Sequence, residues 1–256
     1  MTVLLVDVGN TRIKWAHLQN GRVSRGRAAV HFGWRPADYA RHLFPAVRGV
    51  ERLVVASVAG KPVDRAVAAA ARRARIPCRF VKVGRRAGGV TVGYHDPWRL
   101  GVDRFAAMVG ARELFRGVSV CVVGVGTAMT IDLLSRDGHH RGGVIVPAPA
   151  LMVTTLLTQT HGIRRRARGG AVGTRGLYGR STREAIEQGA RYAAAALIDR
   201  AVEEACRPLH RRPLVVLTGG GAADVRPLLE SNAVAVPDLV LRGLAVLARA
   251  AASPQG

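Results

Sequence analysis

Asp103 and Arg104 adjoin in the run Tyr94-His95-Asp96-Pro97-Trp98-Arg99-Leu100-Gly101-Val102-Asp103-Arg104, at the entrance to a predicted helix. A carboxylate placed there can take the proton of a substrate hydroxyl, and the adjoining guanidinium can hold an anionic group or developing charge. A plainer reading gives Asp103 only the stabilisation of a helix N-terminus, where acidic side chains are favoured. Chemistry alone leaves both open.

Three glycine turns each follow directly on an apolar strand: Asp7-Val8-Gly9-Asn10-Thr11, Gly124-Val125-Gly126-Thr127 and Thr218-Gly219-Gly220-Gly221. Glycine lets a backbone approach closely, so amides in such turns can surround phosphate oxygens. Asp7, at a strand end, can hold Mg²⁺ through bound waters, and Arg12 or Lys14 can neutralise phosphate charge. Any one of these turns is an ordinary hairpin. Three at matching strand ends point to nucleotide binding. There is no GxxxxGK[ST] loop and no GxGxxG, so neither a P-loop NTPase nor a dinucleotide fold has support. His139 and His140 lack metal-ligand spacing and are expected at the surface. No Ser–His–Asp or Cys–His arrangement is indicated by spacing.

The elements that must position these residues repeat. Thr2–Val6 reads as a strand, Arg12–Leu18 as its return, and Asn20-Gly21 as a hairpin leading to a third strand at Arg22–Arg27. Val118–Val123, Ala128–Leu134 and Arg141–Val146, the last after Asp137-Gly138, repeat that meander. Helices are expected over Val63–Arg75, Arg104–Leu114, Ala150–Thr160, Thr182–Cys206 (capped by Ser181), Asp224–Leu229 and Leu239–Ala252, with strands at Arg79–Val83 and Leu214–Leu217. Gly243 is the one weak helix former inside the last helix. The pattern is a duplicated α/β fold, with halves 1–115 and 116–256.

Composition narrows the class. The chain has 256 residues, 48% of them apolar, which excludes intrinsic disorder. Lys+Arg 39 against Asp+Glu 17 gives +22, yet only Lys14, Lys61 and Lys82 are lysines, and the arginines are scattered. That charge reads as solvated surface, with no nucleic-acid partner expected. Three widely spaced cysteines give neither a disulfide framework nor a zinc site. No signal peptide is visible, and the uncharged run Gly142–Ile163 is too polar and proline-broken to span a membrane. A cytoplasmic location without membrane attachment is expected.

Taken in order, Asp7-Val8-Gly9-Asn10-Thr11-Arg12-Ile13-Lys14, Gly101-Val102-Asp103-Arg104, Gly126-Thr127-Ala128-Met129-Thr130-Ile131-Asp132 and Gly142-Gly143-Val144-Ile145-Val146-Pro147 resemble the type III pantothenate kinases, a family that includes proteins named Bvg accessory factors. Gly179–Ala185, Leu217–Gly220 and Leu239–Leu244 look similar too, so the resemblance covers nearly the whole chain. It implies the duplicated fold of the actin, sugar-kinase and acetate-kinase superfamily, with ATP in an interdomain cleft. It also implies a homodimer that uses ATP and Mg²⁺ to convert pantothenate to 4′-phosphopantothenate, the first step of coenzyme A synthesis. By the family pattern, Asp7 to Lys14 (Asp7, Val8, Gly9, Asn10, Thr11, Arg12, Ile13, Lys14) form the first phosphate loop and Thr127 contacts ATP from the second. Asp103 is then the proton acceptor. Tyr94, Gly101, Val102, Asp103 and Arg104 line the pantothenate site, joined by Thr182 from the same subunit or its neighbour. The second half carries the second phosphate and adenosine motifs.

This chain departs from the family in one place that matters. The family commonly has Asp at the position of Gly124, where the carboxylate is a ligand of an activating K⁺ or NH₄⁺. Glycine offers only its carbonyl, so reduced dependence on monovalent cations is expected. Ala148 also replaces a usual glycine. Two other readings stay open on the sequence: a non-catalytic accessory protein with a basic binding face, and a related kinase for another small hydroxyl substrate. Retention of Asp7, Asn10, Asp103, Arg104 and Thr127 speaks against the first.

Overall fold

Both central strands of the chain are apolar along nearly their whole length because both of their faces are covered. The computed structural model describes residues 2–44, 49–168 and 176–250, and divides into two compact units. The first unit holds the chain up to Arg116, Gly138–His140 and the stretch from Asp238 onward. The second holds Gly117–Asp137 and Arg141–Pro237.

In the first unit, β1 (Thr2–Val8) pairs antiparallel with β2 (Arg12–Gln19), with Val8 opposite Ile13 and Asp7 opposite Lys14. Asn20 (φ 50°) and Gly21 (φ 74°) make the hairpin expected of them. The expected third strand is split into β3 (Arg22–Val23) and β4 (Arg27–Val30), both paired with β2. The break is filled by Ser24, whose hydroxyl accepts from the His17 amide at 3.0 Å. After α1 (Pro36–Leu43), β5 (Val50–Ser57) pairs parallel to β1; α2 (Lys61–Arg73) then leads to β6 (Cys78–Phe80), parallel to β5. A small hairpin, β7 (Arg86–Ala87) and β8 (Val90–Thr91), and α3 (Val102–Leu114) follow.

Strand alternation divides the roles of β1. Leu4, Val6 and Val8 enter a core with Tyr39, Leu43, Val67 and Ala70 from α1 and α2. Asp7 follows Val3 and Leu5 on the other face.

The second unit repeats the plan. β9 (Val120–Val125), β10 (Ala128–Leu134) and β11 (His140–Pro147) form the meander. Then α4 (Pro149–Gln159), α5 (His161–Arg166) and α6 (Thr182–Leu209) lead to β12 (Leu214–Thr218), followed by α7 (Ala222–Val225) and β13 (Ala233–Ala235). Its sheet order, β11-β10-β9-β12-β13, matches β3-β2-β1-β5-β6 strand for strand. Ser181 caps α6 as expected, its Oγ accepting from the Glu184 amide at 3.2 Å.

The last helix, α8 (Leu239–Ala250), lies in the first unit although the sequence assigns it to the second half. Residues 251 and 252 of the expected helix lie outside the described residues. The physical reason is Gly243. A β-carbon there would collide with the Ala106 carbonyl, and one on Gly110 would lie 3.0 Å from the Gly243 amide nitrogen. The backbones of α3 and α8 therefore touch at a crossing that only glycine permits. Among the described residues no helix is long and apolar enough to cross a membrane.

Candidate functional site

Asp7 is 9% exposed, at the end of a strand buried on both faces. Burial pushes its carboxyl up to about 7, Lys14 across the β1–β2 ladder opposes that rise, and Asp103 adds to it. The two carboxylates therefore lie within electrostatic reach of each other in one unit. The sequence readings placed them 96 residues apart with no visible link.

The loop beyond Asp7 is a tight turn in which the Gly9 amide donates to the Arg12 carbonyl at 3.0 Å. Val8 and Ile13 are fully buried and fix the base of the turn. Only their backbone is left for a ligand. Asn10, Thr11 and Arg12 are exposed.

Asp103 occupies the first turn of α3 and is half-buried. Its Oδ1 accepts from the Arg104 amide at 2.9 Å and lies 2.7 Å from where a β-carbon on Gly101 would stand. Gly101 is thus the clearance for that carboxylate. Arg104, 7% exposed, donates from Nη1 to the Tyr94 hydroxyl at 3.1 Å. Val102 belongs to the core. Tyr94, Gly101, Asp103 and Arg104 are brought together in the first unit.

Two residues escaped the sequence reading. Arg85 donates to the carbonyls of Val92, Tyr94 and His95 at 3.1, 2.6 and 2.8 Å and so holds the loop that carries Tyr94. His140, expected at the surface, is fully buried with its ring 5.4 Å from that of Tyr94. Its burial has a local cause: the Thr91 amide donates to the Gly138 carbonyl at 2.9 Å, and residues 138–140 belong to the first unit. His139 is exposed, as expected.

In the second unit the equivalent turn is one residue shorter. Val125 pairs with Met129, Gly124 with Thr130, and the Gly126 amide donates to the Ala128 carbonyl at 3.0 Å. Gly124 therefore holds the place that Asp7 holds in the first unit, and a β-carbon on it would stand 3.0 Å from Thr130 Oγ1. Thr127 is exposed. The third glycine turn braces the second: Gly219 (φ 96°) lies against the Val125 backbone and the Gly221 amide donates to the Val125 carbonyl at 3.1 Å. Thr182, half-buried, is the first residue of α6. Among the described residues no three His, Cys, Asp or Glu side chains cluster as a metal site.

Residues 3–204 match the family model described as type III pantothenate kinase. A type III pantothenate kinase from Azoarcus sp. is 39% identical over 98% of this chain and 92% of its own length. Among solved structures, one described as a Baf family transcriptional activator from Campylobacter jejuni superimposes with a TM-score of 0.62 at 16% identity, covering 97% of this chain and 98% of that one. The activator of 2-hydroxyisocaproyl-CoA dehydratase from Clostridium difficile, with bound ADPNP, does so at 0.55 and 11% identity, with both chains fully covered. At those identities the likeness shows the fold alone, a duplicated α/β fold.

Proposed function

Because this chain belongs to the type III pantothenate kinase family, we propose that its Asp103 is the base of a phosphoryl transfer from ATP to the hydroxyl of pantothenate. The activity itself, phosphorylation of pantothenate in coenzyme A biosynthesis, comes with the family. The observation that carries the residue assignment is the grouping of Asp7, Lys14, Asp103, Arg104 and Tyr94 in one unit. Asp103 accepts the hydroxyl proton as the oxygen attacks the γ-phosphorus and the bond to the β-bridging oxygen of ADP breaks. Arg104, steadied by Tyr94, holds an anionic group of pantothenate. Asn10 and Thr11 in the first loop and Thr127 in the second contact ATP, and Lys14 neutralises phosphate charge. Thr182 joins the pantothenate site. Catalysis is then largely positioning and charge neutralisation.

Mg²⁺ fits the residues present. It binds through one or two carboxylates together with waters and phosphates, not in an all-protein cage. Asp7 is such a carboxylate, and a bound cation would favour its charged form against the upward push of burial. The ion supplies charge neutralisation across the phosphates. K⁺ or NH₄⁺ has no carboxylate at Gly124, which supports a weakened requirement.

A second copy of the chain is the partner proposed for α4, an apolar helix with no buried residue. Ile145 on β11 is 59% exposed, and Val144, Leu151 and Leu156 are exposed too, at 43%, 37% and 39%. An apolar patch of this kind marks an association surface. Sedimentation of the protein and of Leu156→Glu tests it: a dimer that the variant dissociates is expected, and a monomeric parent rejects it. Three free cysteines support a cytoplasmic location.

Pantothenate-dependent ADP release tests the function. Activity that needs pantothenate and falls with Asp103→Asn is expected; ADP release indifferent to pantothenate would reject the substrate.

A further inference from the structure

His31 follows directly on β4 and is 4% exposed. Its ring makes two hydrogen bonds, Nε2 to the Gly9 carbonyl at 2.7 Å and Nδ1 to the Tyr39 hydroxyl at 2.8 Å. A carbonyl only accepts, so Nε2 carries a proton and donates it. In the neutral ring Nδ1 then accepts from Tyr39, which itself is 1% exposed and held by Trp34 edge-on at 5.1 Å. The His31 amide also donates to the Thr11 carbonyl at 3.3 Å, extending the β2–β4 pairing into the loop. A buried donor is thus built against one specific peptide of the glycine turn.

That peptide joins Gly9 to Asn10, and it is trans, as are all the described peptide bonds. In a planar trans peptide the C=O and the next N–H point in opposite directions. Holding the Gly9 carbonyl inward on His31 therefore aims the Asn10 amide N–H outward, on the exposed side of the turn. Glycine alone would restrain this peptide little, because without a β-carbon its ψ is less restricted.

We propose that His31 is a positioning residue for the first phosphate loop. It locks the Gly9–Asn10 peptide so that the Asn10 N–H faces a nucleotide phosphate oxygen, and Tyr39 anchors the other ring nitrogen. This rests on the reading of Asp7–Lys14 as a phosphate loop. His31 touches no substrate atom; it acts through the peptide.

The test measures ADPNP–Mg²⁺ affinity by calorimetry, and KM and kcat for each substrate, in His31→Leu, His31→Asn, His31→Gln and Lys14→Met. Gln places an amide N–H near the Nε2 position, whereas Asn reaches only the Nδ1 position. Loss of one directed backbone donor should weaken nucleotide binding about tenfold in His31→Leu and His31→Asn. His31→Gln should recover most of that, with the pantothenate KM unchanged within about twofold in all three. If His31→Leu does not fold, the Asn–Gln pair carries the comparison. Nucleotide affinity lost in Lys14→Met but kept in His31→Leu or His31→Asn, or lost equally in the Gln and Asn variants, would overturn the role of His31 while leaving the loop reading intact. No loss in Lys14→Met or in the His31 variants would overturn the loop reading, and this proposal with it.

Discussion

Arg104 reaches back across ten residues to the Tyr94 hydroxyl, donating from Nη1 at 3.1 Å, and its guanidinium carbon stands 5.8 Å from the centre of the Tyr94 ring. One contact thus sets both a cation and an aromatic wall beside Asp103. Arg85 fixes the backbone around the same tyrosine through the carbonyls of Val92, Tyr94 and His95. Removing the hydroxyl in Tyr94→Phe deletes a hydrogen bond to a charged group, of a kind worth about 1.5–3 kcal/mol, and releases the guanidinium from its set position. We expect the pantothenate KM to rise about tenfold with the ATP KM unchanged. Steady-state kinetics against both substrates checks this.

Asp7 gives a pH dependence with a definite sign. The folded protein keeps its proton up to about pH 7, whereas the unfolded chain releases it near the ordinary 3.8. The corresponding stabilisation is fully present below pH 3.8 and is lost as pH rises through 7. Without Mg²⁺, Asp7→Asn stays neutral throughout and should be the more stable protein at pH 8, by roughly 2–4 kcal/mol. It should also have lost its kinase activity. Denaturant melts of both proteins at pH 5 and pH 8 measure the gap, which should widen with pH.

The crossing of α3 and α8 predicts a structural lesion. Gly243→Ala must push a methyl into the Ala106 carbonyl of a buried helix pair. Overpacking of this sort costs about 1–3 kcal/mol, despite the gain in helix propensity. A lowered melting temperature, with the KM values of the surviving enzyme near their parent values, is the expected outcome.

Much of this was legible in the sequence, and the gaps have physical causes. The two meanders, Asn20-Gly21 and Ser181 announced themselves because turn and cap chemistry is local. β5 was missed, since Val50–Ser57 is a parallel strand whose apolar run shows no alternation. The placement of α8 depends on Gly110 meeting Gly243, a contact between residues far apart in the chain. Asp103 and the glycine turns could be read as chemistry from residue type. Tyr94 and Thr182 came only with the family pattern, and His31 and Arg85 with neither. A lone histidine and one arginine among many carry no spacing, so their roles depend on which carbonyl lies opposite.

Gly124 makes the monovalent cation a clear contrast. It stands opposite Thr130 in the strand pair as Asp7 stands opposite Lys14. With no carboxylate at that position, the rate in Na⁺ should lie within a few-fold of the rate in K⁺ or NH₄⁺. Gly124→Asp should create a dependence on K⁺. A parent enzyme nearly inactive until K⁺ is added would contradict this.

The most direct measurement is pantothenate-dependent ADP release by the parent enzyme and by Asp103→Asn, at saturating ATP and Mg²⁺. Loss of a general base costs about 10²–10⁴-fold, so kcat should fall by that factor. Calorimetric affinity for ADPNP should stay within about twofold, because Asn keeps the shape and not the base. A variant retaining a tenth or more of the parent kcat would contradict Asp103 as the proton acceptor.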